Sequence, residues 1–315
     1  MWKIGVLLLL VLAMGACKPP EEPRMRAIIG AVLIDGTGGP PVSDSVVVIA
    51  SGRINAAGPR TSTLVPAAAD KIDGSGKFLV PALIDVCARV DPAVSFTAPG
   101  GYPDGAIEPA DEEAARSRVA ELAARKAPAI HLWMDDRNHS RPKLQNAIAS
   151  AVLAAARAAS IPVTGHVATQ ADAEFLTDHG ASSFVGMIRD TAVDPVFVAR
   201  LRDLRIVVAP ALVSVGQAEL ETAERNTRTL FAAGVPIAVA TLGAAPIVKE
   251  AELLSAAGIP ALDVLVAATK NGAIALGELR EAGTIEAGKR ADLVILSRNP
   301  GEDVRNLEGG ERVRY

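Results

Sequence analysis

The chain has 315 residues, half of them hydrophobic and 3% aromatic, with a formal net charge of −4. That is enough for one barrel-sized domain and a small appendage, with a core built from Ala, Val, Leu and Ile rather than rings. The charge is mild and no basic stripe with interleaved aromatics occurs, so nucleic acid is excluded as an expected partner.

Lys3 precedes an apolar run over 4–16, which ends at Cys17. The run is shorter than the roughly 20 residues of a spanning helix and reads as a targeting segment outside the fold. Met14-Gly15-Ala16-Cys17 resembles a bacterial lipobox. The resemblance implies a lipoprotein signal peptide over 1–17 and a diacylated Cys17, a stable membrane anchor. Residues 18–25 begin Lys-Pro-Pro-Glu-Glu-Pro-Arg and read as a stiff tether. Lys18, not Asp, follows the cysteine. The expected location is therefore the cell envelope, at the periplasmic face of the outer membrane in a Gram-negative host. The alternative is a plain secreted protein with an incidental Cys17. With Cys17 acylated, Cys87 is the one remaining thiol and no internal disulfide can form.

From residue 26, short β-branched runs alternate with Gly-rich turns: AIIGAVLI (27–34), VVVIA (46–50) and KFLVP (77–81) are predicted strands. Strands and Ala-rich helices then alternate, the pattern of a parallel α/β sheet. The expected strands are FLVPALIDV (78–86), a weak AVSFT (93–97), AIHLWMD (129–135), IPVTGHV (161–167), SSFVGM (182–187), RIVVAPALV (205–213) and PIAVAT (236–241). Helices are predicted over 110–126, 144–159, 170–179, 194–203, 217–233 and 260–277, and ADLVILS (291–297) is a last strand.

Several of these segments carry a family resemblance, in order along the chain. Residues 79–89 (LVPALIDVCAR) resemble the first barrel strand of the amidohydrolase superfamily, where Pro-Gly-Leu-Ile-Asp leads into His-x-His. Residues 34–39, 46–58, 72–78, 268–277 and 283–300 resemble its opening turn, hairpin, barrel lead-in, last helix and return strand. The middle, around 127–191, looks like the imidazolonepropionase-like and prolidase-like branch. The resemblance implies a TIM-like (β/α)8 barrel over 81–280 and a small discontinuous β-sandwich, the composite domain, from 26–80 and 281–315. The strand count falls short of eight by about one βα unit.

The resemblance also implies metal-dependent hydrolysis of non-peptide C–N bonds with one or two divalent metals. Its ligand positions are altered here. Cys87 and Arg89 stand for the His-x-His pair, His131 for the strand-four Lys, Gly186 for the strand-six His and Leu242 for the strand-eight Asp. His166 alone is retained in type. Arg cannot bind a cation and Leu cannot move a proton, so no catalytic residue is assigned. Cys87, His131 and His166 are the candidate metal ligands. A thiolate with two imidazoles suits one zinc with a place left for water; the favoured reading is that the three are remnants at strand ends in a non-catalytic or weakly active protein. A small-molecule ligand at the barrel top is compatible with both readings. A third possibility is an eroded chain that folds poorly.

Three other features are read as structural. His139 and the pair Asp135-Asp136 are expected in a solvated loop after strand four. His179 precedes Gly180 at a helix stop. No G-x-x-x-x-G-K-[ST] or G-x-S-x-G pattern occurs, which argues against a phosphate cradle or a serine nucleophile.

Overall fold

The computed structural model describes residues 25–88, 91–137 and 140–313. Cys17, Arg89 and His139 lie outside the described residues, and with them the expected lipidation site and the second ligand position of the first barrel strand.

The N-terminal strands are β1 (Met25–Ile29), β2 (Val32–Leu33), β3 (Ser45–Ala50), β4 (Arg53–Pro59), β5 (Asp70–Asp73) and β6 (Phe78–Pro81). Next come β7 (Ser95–Phe96), α1 (Glu112–Ala124), β8 (Ile130–Trp133), α2 (Asn146–Ala158), β9 (Val163–His166), α3 (Gln170–His179), β10 (Ser183–Val185), α4 (Pro195–Asp203) and β11 (Val207–Ala209). Helices α5 (Gln217–Ala232), α6 (Ile247–Ala256), α7 (Ala261–Val266) and α8 (Gly272–Ala275) follow, with a π-helical turn at Ala267–Asn271 between the last two. Strands β12 (Leu293–Leu296) and β13 (Glu311–Arg312) close the chain.

Two four-stranded sheets, β4-β3-β1-β5 and β13-β12-β6-β2, face each other as a sandwich. β3 shows why: Val47 and Ile49 pack with Ile28, Leu79 and Leu293 on one face, while Val46 and Val48 pack with Ala27 and Ala69 on the other. Successive strand residues point to opposite faces, so a run of β-branched residues fills both. β12 returns from the far end of the chain and pairs antiparallel with β6, Leu293 opposite Pro81 and Leu296 opposite Phe78. The barrel thus begins and ends on one sheet.

The barrel strands form a parallel sheet in the order β11-β10-β9-β8-β7. At one edge Val208 pairs with Ile237, and beyond it the Val86 N–H donates to Val239 O at 2.9 Å, bringing the first barrel strand beside the last. At the other edge Phe96 pairs in parallel with Ile107 alone. That single residue stands where a full strand is missing. Pro99, Gly100, Gly101, Pro103, Gly105 and Pro109 leave the intervening stretch without a helix. Among the described residues, no backbone hydrogen bond joins Ile107 to the first strand. The missing βα unit therefore falls between β7 and β8.

Helix ends follow their caps. Asp111, Thr169 and Asp194 each accept backbone N–H bonds at the starts of α1, α3 and α4. α3 stops at Gly180, whose φ of +92° is left-handed, and the His179 ring bonds Phe175 O at 2.8 Å.

One expected strand is corrected. The 205–213 run is a strand only over Val207–Ala209. Pro210 interrupts it, Ala211 turns at φ +52°, and Leu212–Ser214 form a 3-10 turn. α6, which the sequence reading does not assign, supplies the reason. Its Glu250 is fully buried and accepts the Leu212 and Val213 N–H groups at 2.9 and 2.8 Å.

Burial raises the Glu250 carboxyl from 4.5 to about 7 against the pull of those two N–H groups, with Asp85 adding to the rise. The folded chain therefore holds a proton that the unfolded chain has released between about pH 4.5 and 7. The stabilisation is complete below that window and is lost as pH rises through it, by on the order of 3 kcal/mol. We expect urea midpoints to fall from pH 5 to pH 8 in the parent and to stay flatter in Glu250→Gln. Parallel pH profiles would refute this assignment.

Candidate metal centre

The first-strand, β8 and β9 ends bring Cys87, His131 and His166 together, with ligand atoms all within 4.8 Å of one another. Cys87 and His166 are buried and His131 half-buried. His131 Nδ1 and His166 Nε2 are hydrogen-bonded at 2.9 Å, one ring donating and the other accepting. Burial holds His131 below the ordinary imidazole value, opposed by Asp91. His166 lies well below it through burial first, then the neighbouring His131 and Arg137. Both rings are therefore neutral near pH 7, the state that can share one proton or bind a metal.

The surroundings are apolar. Cys87 packs with Val86, Val185, Val207, Ala238 and Ala240, small residues that fill the barrel axis. Burial, with a contribution from Asp85, pushes its thiol up to about 12. A thiol held so firmly protonated is a poor nucleophile. In native protein, Cys87 is expected to resist iodoacetamide at pH 8 and to alkylate only on unfolding. Rapid native labelling, followed by mass spectrometry, would show that the thiolate is available.

A ring column caps the histidine pair. Trp133, at the end of β8, stacks on His166 with centroids 3.6 Å apart and planes at 11°. Tyr102 meets Trp133 edge-on at 4.7 Å, and the Arg137 guanidinium lies 4.3 Å from the Tyr102 ring. Tyr102 is thus a packing residue of this column. Among the described residues, Trp133 Nε1 is buried without a hydrogen-bond partner.

The first and last strands are tied by Asp85. Its carboxylate accepts the Thr241 hydroxyl at 2.6 Å, the Thr241 N–H at 3.1 Å and the Cys87 N–H at 3.0 Å. Oδ1 takes the two N–H bonds and Oδ2 the hydroxyl. Leu242 follows Thr241 with φ +53° and packs against the same apolar cluster as Cys87. Gly186 ends β10 with φ +90°, and a Cβ there would lie 2.4 Å from Val167 O.

Asp135 differs from expectation. Both its carboxylate oxygens lie 3.1 Å from Arg189 Nη2, and Arg189 Nε reaches Glu219 at 2.9 Å. Asp135 is engaged in a largely buried ion-pair network, so it is neither solvated nor a free receptor for an amine. Arg189, Asp85 and Glu250 are the polar residues that sequence reasoning missed. Each has a partner 30 to 156 positions away, and local pattern carries no trace of such pairs.

One thiol and two imidazoles fit a borderline or soft divalent or monovalent ion. At bonds of about 2.0–2.1 Å a tetrahedral ion needs its two ring nitrogens roughly 3.3 Å apart, a few tenths of an ångström beyond the hydrogen-bond spacing. The two nitrogens therefore fit a metal after a small parting of the rings, while the three donors together lie within 4.8 Å of one another.

Comparison with known proteins agrees with this architecture. Residues 220–314 match the amidohydrolase family. Over 85 residues the chain is 39% identical to imidazolonepropionase of Geobacillus kaustophilus (strain HTA426), covering 25% of this chain and 20% of that protein. The chain thus spans about a fifth of the length of the curated relatives it matches. The fold superposes on a Xaa-Pro dipeptidase with bound methionine, with TM-score 0.76 and 17% identity over 92% of this chain and 98% of the other. It also superposes on ochratoxinase of A. niger, with TM-score 0.77 and 15% identity over 91% and 93%. The fold is a TIM-like barrel with a β-sandwich domain, and the C-terminal part of the chain is similar to the amidohydrolase family.

Proposed function

We propose that this protein is an envelope-anchored amidohydrolase-fold protein that has lost hydrolysis by the family mechanism and keeps the barrel top for binding a small molecule. The observation that carries this reading is Leu242 at the end of the last strand, where the resemblance puts the general base. General-base transfer contributes roughly 10²–10⁴-fold, and the nearby carboxylate, Asp85, is hydrogen-bonded to Thr241 and Cys87. Gly186 and Arg89 add to the case, since neither can replace a lost ligand. The anchor is Cys17, by its lipobox-like setting.

The test uses the full chain in detergent, supplied with zinc or manganese and a panel of Xaa-Pro dipeptides, N-acyl amino acids and cyclic amides. No turnover above the buffer rate is expected. Metal-dependent turnover that disappears in His166→Ala would overturn the reading. For the anchor, labelled palmitate should enter the parent and not Cys17→Ser; equal labelling of both would remove it.

The grouping of Cys87, His131 and His166 within 4.8 Å supports a second reading, a mononuclear zinc hydrolase of cyclic amides or dipeptides. Zinc held by these three residues would supply Lewis acidity and lower the pKa of bound water. The chain's own contribution would be to orient the His166 ring through the Trp133 stack and to exclude bulk water with Tyr102 and Trp133. The same turnover assay separates the two readings.

A further inference from the structure

We propose that the open end of the β-sandwich is a binding site for a small amphipathic anion, a phosphate or carboxylate head on a short apolar tail. The site lies apart from the barrel and does not rest on the loss of hydrolysis.

Three observations carry it. The first is a cavity of about 460 Å³ between the two sheets, lined by Arg26, Ile72, Lys77, Ile295, Glu311, Arg312 and Val313. Small-molecule sites occupy roughly 300–1,000 Å³. The second is the cavity's floor. Ile28 and Leu79 are buried between the sheets, yet Ile72 beside Ile28, Ile295 beside Leu79 and Val313 are only half-buried. Apolar core surface is thus left uncovered at this end, and a ligand's tail would cover it favourably. The third is the charge around that floor. Arg26 shares the inner face of β1 with Ile28 by the two-residue alternation of a strand. Lys77 leads into β6 and Arg312 belongs to β13, both in the opposite sheet. Glu311, opposite Ile295, is the one carboxylate in the lining, and Asp70 and Asp73 of β5 lie outside it. Among the described residues, Arg26, Lys77 and Arg312 join no ion pair, whereas Arg53, Arg60, Arg290 and Arg305 of the same domain each have one. Three cations against one acid attract an anion and disfavour a metal cation. A guanidinium and an ammonium from opposite walls suit an oxyanion head.

Two sources supply this chemistry, a soluble anion and an anionic phospholipid. The second rests on the Cys17 anchor proposed above. The proline-rich tether from Cys17 to Met25 spans about 25 Å at full extension, and Arg26 follows Met25 directly, so the cavity lies within reach of the bilayer.

The experiment uses the full chain in phosphatidylcholine nanodiscs and titrates hexyl phosphate by calorimetry, with empty nanodiscs as the blank. One hexyl phosphate per chain is expected, with inorganic phosphate and hexanol each bound at least about tenfold more weakly. Arg26→Gln and Lys77→Gln should each weaken hexyl phosphate by about tenfold, the scale of one lost charge-assisted hydrogen bond, while still melting cooperatively. No saturable binding, or equal binding by the Arg26→Gln/Lys77→Gln double variant, would overturn the site. So would a double variant that self-associates with its hexyl phosphate affinity intact, because inward charges at a sheet edge can serve only to deter strand pairing. Replacing part of the phosphatidylcholine with phosphatidylglycerol separates the sources. Loss of hexyl phosphate binding by competition would assign the cavity to membrane lipid, and unchanged affinity would assign it to a soluble anion. A Cys17 that takes up no palmitate would remove the lipid source and leave the hexyl phosphate test of the cavity intact.

Discussion

Gly186→His, the substitution that puts a histidine back at the end of β10, is expected to destabilise the protein by about 3–5 kcal/mol rather than rebuild a metal site. Two costs add. The backbone at 186 has φ +90°, which a side chain bears at roughly 1–3 kcal/mol. A Cβ would also meet Val167 O at 2.4 Å, and relieving such overpacking costs about 1–3 kcal/mol more. Leu242→Asp should behave differently. Position 242 already has φ +53°, a region that Asp tolerates and bulky residues resist, so the backbone adds no cost and the loss is limited to about 1–3 kcal/mol from leaving the apolar cluster beside Cys87. Urea unfolding of the two variants decides the matter. A Gly186→His variant as stable as the parent, or one that gains tightly bound zinc, would sink the argument. The expected outcome means that the barrel end has moved past simple reversal at one ligand position and not at the other.

The second large effect is expected at Arg189. Its side chain is 10% exposed and it pairs with Asp135, 11% exposed, and with Glu219. Arg189→Met should cost about 3–5 kcal/mol, because removing one partner strands a buried charge. Adding Asp135→Asn removes that charge and keeps an oxygen for the Arg137 N–H, which now donates at 2.8 Å. The double variant should therefore be more stable than the single one. A loss below about 1 kcal/mol in Arg189→Met, or no recovery in the double variant, would show that the network is not holding the β8 and α5 ends together.

Much of the scaffold was legible because it is written in local pattern. The strand β9 and the helix α3 show it: IPVTGHV is a short apolar run, and the helix after it opens on Thr169 and closes on Gly180. The missing βα unit was legible too, as a deficit of periodic segments before Ile130. The grouping of Cys87, His131 and His166 followed from strand order once the barrel was accepted. α6 was not legible, since its buried Glu250 reads as a surface residue. The partner that explains it, the Leu212–Val213 backbone, is 37 to 38 positions away. Asp135 misled for the same reason. An Asp-Asp pair after a strand has the look of a solvated loop, and only the fold brings Arg189 to it. The backbone at Gly186 lay beyond reach as well: the sequence gives an absent imidazole, whereas the φ of +90° shows a position closed to its return.

The stacking of Trp133 on His166 has an optical consequence. The chain has two tryptophans, and the other, Trp2, lies in the expected signal peptide. In the processed protein Trp133 would be the sole indole, 3.6 Å from one imidazole of the histidine pair. Its emission is thus a built-in reporter. Any ion, proton or ligand arriving at His166 changes the electronic neighbour of the only strong fluorophore, so occupancy of the barrel top can be followed without a label or a known substrate.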